Sequence, residues 1–176
     1  MTNTKYYASL LLMGSALYAG MVKAADITMN FTATVVASPC TVDSDSVTKA
    51  IQLDGGNGVQ ATDLQDAGAS TPWVYFDLGV KDCPAGTTRI TITFSGTADP
   101  ASPDNLYMNT GTAKNASVEL QSHDGLYMFG DGKSYTGTVR SDKTFYFSER
   151  ARVYTNAGGV TPGTIQALVT ANFTYQ

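Results

Sequence analysis

Residues 163–176, G-T-I-Q-A-L-V-T-A-N-F-T-Y-Q, limit what this chain can fold into more than any other stretch. Ile165, Ala167, Val169, Ala171, Phe173 and Tyr175 share one parity. Thr164, Gln166, Thr170, Asn172 and Thr174 hold the other, with Leu168 as the exception. Successive side chains of a strand point to opposite faces, so this spacing predicts a long, half-buried β-strand. It runs to the last residue of the sequence, where a chain frays unless something ties it down.

The rest of the chain carries the same signal in shorter pieces. Ile90, Ile92 and Phe94 alternate with Arg89, Thr91 and Thr93, and Val118 and Leu120 with Ser117, Glu119 and Gln121. Phe145, Phe147, Ala151 and Val153 share a parity opposite to Tyr146, Ser148, Arg150, Arg152 and Tyr154. Residues 73–80 are mostly apolar and rich in strand-forming types. Turn-forming clusters at residues 54–58, 99–105 and 156–159 separate these runs, and no sustained helical period follows Ala24. Short alternating strands between turn clusters predict an all-β sandwich. No internal repeat, low-complexity linker or second domain is visible.

Residues 1–24 read as a secretory signal peptide. Lys5 supplies the positive start, residues 8–22 are uncharged and mostly apolar, and Val22-Lys23-Ala24 precedes the cleavage point. The apolar run falls short of the roughly 20 residues a membrane-spanning helix needs, so no membrane insertion is expected after cleavage. Both cysteines, Cys40 and Cys83, fall in the exported part. An even count in an oxidising compartment predicts one structural disulfide. The alternative, free thiols or half a metal site, lacks a nearby histidine, since His123 is the only one. Net charge is −4, with 11 Lys and Arg scattered along the chain. A nucleic-acid partner needs a basic stripe, and none is present.

The start of the exported chain is the second unusual stretch. Ile27, Met29, Phe31, Ala33 and Val35 face one way, and Asp26, Thr28, Asn30, Thr32 and Thr34 the other. Pro39 then interrupts, since it cannot donate to a ladder. On pattern alone this could be the first strand of an ordinary sandwich.

Other constellations read as structure rather than chemistry. Gly132-Lys133-Ser134 mimics the end of a phosphate-binding loop, but the first glycine of that motif would fall on Tyr127 and no helix follows, so a hairpin turn is expected. Asp43 and Asp45 do not complete a calcium loop and read as a solvated turn. His123 has no nucleophile in a recognisable setting and reads as a surface loop residue. Asn30, Asn115 and Asn172 open chance sequons. No catalytic group, cofactor or metal site is expected.

The order of four segments carries a resemblance. Residues 25–42 (A-D-I-T-M-N-F-T-A-T-V-V-A-S-P-C-T-V), 82–99 (D-C-P-A-G-T-T-R-I-T-I-T-F-S-G-T-A-D) and 111–121 (G-T-A-K-N-A-S-V-E-L-Q), closed by Gly163 through Tyr175-Gln176, resemble the pilins of the chaperone–usher route. Within them the chain looks like a minor, tip-fibre subunit of type 1 fimbriae. The resemblance implies an incomplete immunoglobulin-like sandwich, a pilin domain at 37–176, completed by a donated strand. It implies that residues 25–36 are a donor-strand extension whose knobs are Ile27, Met29, Phe31, Ala33 and Val35. Gly163, Ile165, Ala167, Val169, Ala171, Phe173, Tyr175 and Gln176 would line a groove, with the Gln176 carboxylate offered to basic groups of a periplasmic chaperone. Implied partners are that chaperone, an outer-membrane usher and neighbouring subunits in a head-to-tail polymer at the cell surface. One departure is Ala33, where the family usually has glycine; a donor in this register needs a deeper acceptor pocket. An adhesin that binds a host receptor directly, or a secreted non-fimbrial β-sandwich protein, are the other classes.

Overall fold

In the computed structural model, which describes Thr32, Ala33 and residues 36–176, the long strands fall on the alternating runs of the sequence and on the apolar run at 73–80. In chain order the elements are β1 (Thr41–Val42), the single helical turn α1 (Ser44–Val47), a 3-10 turn (Ala61–Leu64), β2 (Val74–Lys81), β3 (Arg89–Gly96), β4 (Leu106–Met108), β5 (Ser117–Ser122), β6 (Ser134–Thr138), β7 (Phe145–Tyr154) and β8 (Val169–Tyr175). They form two antiparallel sheets, one of five strands in the order β1-β2-β7-β5-β4 and one of three in the order β6-β3-β8. The signal peptide and the proposed donor knobs Ile27, Met29, Phe31 and Val35 lie outside the described residues, as does Asn30. Ala33 is exposed and belongs to no strand.

The two sheets share one core. Ile90, Ile92 and Phe94 of β3 are fully buried against Leu78 and Val80 of β2, Val118 and Leu120 of β5, and Phe147 and Ala151 of β7. A smaller cluster of Leu64, Ala116, Val153 and Val160 packs the long 43–73 connection against one end. That connection is pinned by main-chain bonds such as Thr71 N to Val153 O (3.0 Å) and Gly68 N to Thr155 O (2.9 Å). Asp43 sits at the N-cap position of α1 and pairs with Lys81 at 3.3 Å, in keeping with a turn rather than a metal loop.

Cys40 and Cys83 are bonded to each other, tying the chain before β1 to the end of β2 across a separation of 43 residues. On the chain-entropy account such a loop stabilises the fold by about 4 kcal/mol. Reducing the bond, or replacing both cysteines with alanine, is expected to lower the unfolding free energy by that order. Urea unfolding with and without reductant measures it.

The face of β5 that should be polar and solvated is instead buried. Ser117, Glu119 and Gln121 are covered because β5 lies between β4 and β7 and the long side chains of β7 fold over it. Arg152 Nε donates to Glu119 Oε2 at 2.6 Å and its Nη1 to Ser70 Oγ at 2.8 Å. Gln121 Nε2 donates to Glu119 Oε1 (2.7 Å), and Arg150 Nη2 to Gln121 Oε1 (2.7 Å). Two guanidinium groups lie over Trp73, Arg150 at 4.2 Å and Arg152 at 4.1 Å from its ring centroid. Each oxygen of the buried Glu119 carboxyl thus has a donor, as a hidden polar group requires.

Glu149 is the opposite case. It occupies the inward parity of β7 between Phe147 and Ala151, is 2% exposed, and its Oε2 has no hydrogen-bond partner. Burial, then the negative charges of Asp124 and Asp77, push its carboxyl up to about 8. The folded state therefore holds a proton that the unfolded chain releases near its ordinary range. Stability is full below that range and is lost as pH rises toward 8, by about 1.4 kcal/mol per pH unit. Glu149→Gln keeps the shape without the titration. Its urea midpoint is expected to exceed that of the parent at pH 8.5 and to converge with it at pH 4.5; a constant offset would show that Glu149 does not titrate between folded and unfolded states.

Candidate functional site

The inward row predicted from the sequence is present, but it is covered from one side only. From Ile165 to Tyr175 every odd residue is half-buried and every even one exposed, without a single fully buried position. Their partners on β3 (Ile90, Ile92 and Phe94) are completely enclosed. Two strands of one sheet, facing the same core, thus differ because β3 lies between β6 and β8, whereas β8 is at the edge.

The main chain shows the same asymmetry. Arg89 and Gln176 exchange bonds, Arg89 N to Gln176 O and Gln176 N to Arg89 O, both at 2.9 Å. Antiparallel pairs alternate between bonded and non-bonded partners. In the β3–β8 register of Thr91 with Thr174, Thr93 with Asn172 and Ser95 with Thr170, the even residues therefore direct their N–H and C=O toward β3. Val169, Ala171, Phe173 and Tyr175 direct theirs outward, and among the described residues no strand pairs that edge. The residues that offer unpaired backbone groups are the ones whose apolar side chains form the half-covered floor. Such an edge is a template for another strand.

Small and large side chains alternate along the floor. Ala167 and Ala171 leave depth between Ile165, Val169 and Phe173, and the Phe173 ring lies 5.8 Å from that of Phe147 in the core. Burial raises the Tyr175 phenol above its ordinary range. One oxygen of the Gln176 carboxylate accepts from Arg89 N and from Thr88 N at 2.7 Å.

The sequence predicts one strand over 163–176, whereas the regular ladder begins at Val169. The preceding residues keep the alternation but are held by the 109–113 loop. Thr110 N donates to Gln166 O (2.8 Å), Ala113 N to Thr164 O (3.0 Å) and Gln166 N to Asn109 Oδ1 (2.8 Å). Side chains of Asn109, Thr112 and Thr164 take the place of ladder bonds, which no strand-spacing argument reveals. Gly163 is required here because a Cβ would meet the Ala113 amide at 2.5 Å. Leu168, the exception in the pattern, is 84% exposed. His123 stands in an exposed turn with its ring 4.7 Å from Tyr75. Among the described residues no cluster of metal-ligating side chains occurs, and no helix is long and apolar enough to cross a membrane.

Comparison with known proteins agrees with this geometry. The family described as fimbrial protein matches residues 29–176. The chain is 36% identical over 168 residues to Protein FimG of Escherichia coli strain K12, covering 96% of this chain and 93% of that one. It is 34% identical over 155 residues to the S-fimbrial adhesin protein SfaS of Escherichia coli O6:K15:H31 strain 536, covering 87% of each. The fold is shared with the P pilus rod subunit PapA, at a TM-score of 0.65 and 22% identity over 79% of this chain and 100% of that one.

Proposed function

This chain belongs to the fimbrial protein family, and from that premise we propose how it works: as a structural subunit of a chaperone–usher fimbria, it is joined to its neighbours by strand donation. Its relatives are structural fimbrial proteins rather than enzymes. One observation carries the reading. The outward backbone groups and the half-covered side chains of β8 fall on the same residues, so one added strand satisfies both.

The donor is the segment at residues 25–36 of the next subunit. Its knobs Ile27, Met29, Phe31, Ala33 and Val35 recur at the strand period of two and match the spacing of the inward row Ile165, Ala167, Val169, Ala171, Phe173 and Tyr175. Donor at one end and acceptor along β8 is a heterologous, head-to-tail arrangement, which grows open filaments instead of closed rings. Before assembly the groove needs a temporary occupant, the role of a periplasmic chaperone, and delivery through an outer-membrane usher places the fibre at the cell surface. Support of adhesion is then indirect, through the fibre. Direct receptor binding is the second reading, and one observation favours it: the relative SfaS is itself called an adhesin.

The test is a subunit lacking residues 25–36, unfolded with and without that segment added back as a peptide. The truncated subunit alone is expected to be marginal. Peptide at a hundred times its dissociation constant adds about 2.7 kcal/mol, and tighter binding adds more. A truncated subunit that resists high denaturant and ignores the peptide would overturn the groove.

A further inference from the structure

The edge of the three-stranded sheet opposite β8 is β6, and beside it lies a cavity of about 390 Å³ that strand donation does not use. It opens where β5 ends at Ser122 while β7 runs on. His123 N donates to Ser148 O at 2.9 Å, and the next outward groups on that side of β7, those of Tyr146, have no rung on β5. Tyr127, Tyr135, Phe145 and Phe147 line the opening, and Glu149 closes its wall. The rings form a connected set, with Tyr127 to Tyr135 at 5.1 Å, Tyr135 to Phe147 at 6.3 Å and Phe145 to Phe147 at 4.6 Å. Gly137 makes the set possible, because a Cβ there would collide with the Phe145 ring.

Three features of this wall point the same way. The Glu149 carboxyl stands behind this wall with no donor of the chain on Oε2, so a cation seated in front of it is held by charge. Aromatic faces attract cations through their quadrupole. Asp124 and Asp77 are near enough to act on Glu149, so the local field is negative. We infer that this cavity binds a small organic cation, a guanidinium or primary ammonium group, seated among Tyr127, Tyr135, Phe145 and Phe147 with Glu149 as its counter-ion and the Tyr146 carbonyl as a further acceptor. Binding takes the ionised carboxylate, so it releases the Glu149 proton to solvent. The other groups about the site have partners of their own: Asp77 accepts from Ser148 (2.6 Å), Asp124 from Ser122 (2.6 Å), Arg150 Nη2 donates to Gln121 (2.7 Å), and the His123 ring lies tilted at 48° beside that of Tyr75.

The experiment is calorimetric titration of the full exported chain with butylguanidinium and with butylurea, which has the same shape without the charge. Butylguanidinium is expected to bind, and to weaken about tenfold for each pH unit below about 8, because only the ionised fraction of Glu149 is competent. Butylurea is expected to bind at least tenfold more weakly. Glu149→Gln should lose the affinity and flatten the pH profile, and His123→Gln should retain both. Tyr127→Ala, at a position 48% exposed, should weaken binding severalfold. A short arginine peptide in place of butylguanidinium distinguishes a protein side chain from a free small molecule as the source. Equal binding of the urea, no binding of the guanidinium, or a Glu149→Gln variant that binds as well as the parent would overturn the site.

Discussion

Replacing Phe31 with aspartate is expected to strip the cell surface of fibres while the subunit still accumulates with the proposed periplasmic chaperone. Phe31 is the bulkiest knob of the proposed donor row, and the floor it would enter is lined by Ile, Ala, Val and Phe. A carboxylate placed there without a partner costs several kcal/mol. A loss of about 4 kcal/mol weakens the joint by about a thousandfold. A polymer held by one such joint per subunit shortens in proportion. Thr32→Asp is the control, since residue 32 has the opposite parity and its side chain is exposed. Fibres counted by electron microscopy, with the periplasmic chaperone–subunit complex measured alongside, decide the matter. Unchanged fibres in the Phe31→Asp strain would make residues 25–36 an ordinary segment of the sandwich.

Much of this geometry is legible in the order of the residues, and the reason is local. Ile90, Ile92 and Phe94 alternate because β3 is covered on one face, and a one-residue slip would expose the whole set. The inward row at 165–175 reads from the sequence by the same logic. What alternation does not reveal is coverage. The row at 165–175 looks as apolar as β3, yet it is only half-buried, because burial depends on what lies beyond the edge. The polar row of β5 misleads in the other direction: Glu119 and Gln121 read as solvated, whereas Arg150 and Arg152 of a strand distant in sequence roof them over. The short strands β4 and β6 carry too few residues to show a period. Glu149 is within reach of the pattern, since it stands on the parity of Phe147 and Ala151, where a carboxylate is out of place.

Coverage can be tested directly by plugging the groove from within. Ala171 is an inward, half-buried position of the edge strand, between the larger Val169 and Phe173. Ala171→Phe puts a ring into the space that an incoming strand needs, without touching the ladder, because the β8 rungs toward β3 belong to the even residues. An apolar side chain of that size stabilises by about 1–2 kcal/mol when it covers exposed floor. The isolated subunit is therefore expected to become more resistant to urea, while its affinity for the 25–36 peptide falls by at least a hundredfold. Those two changes have opposite signs, which general damage to the fold cannot produce. Asn172→Phe is the companion: it lies on the exposed face one residue on and should alter neither quantity by more than about 0.5 kcal/mol. If Ala171→Phe lowers stability and leaves peptide capture intact, the space beside Ala171 is not where the donated strand goes, and the acceptor site must be sought on another edge.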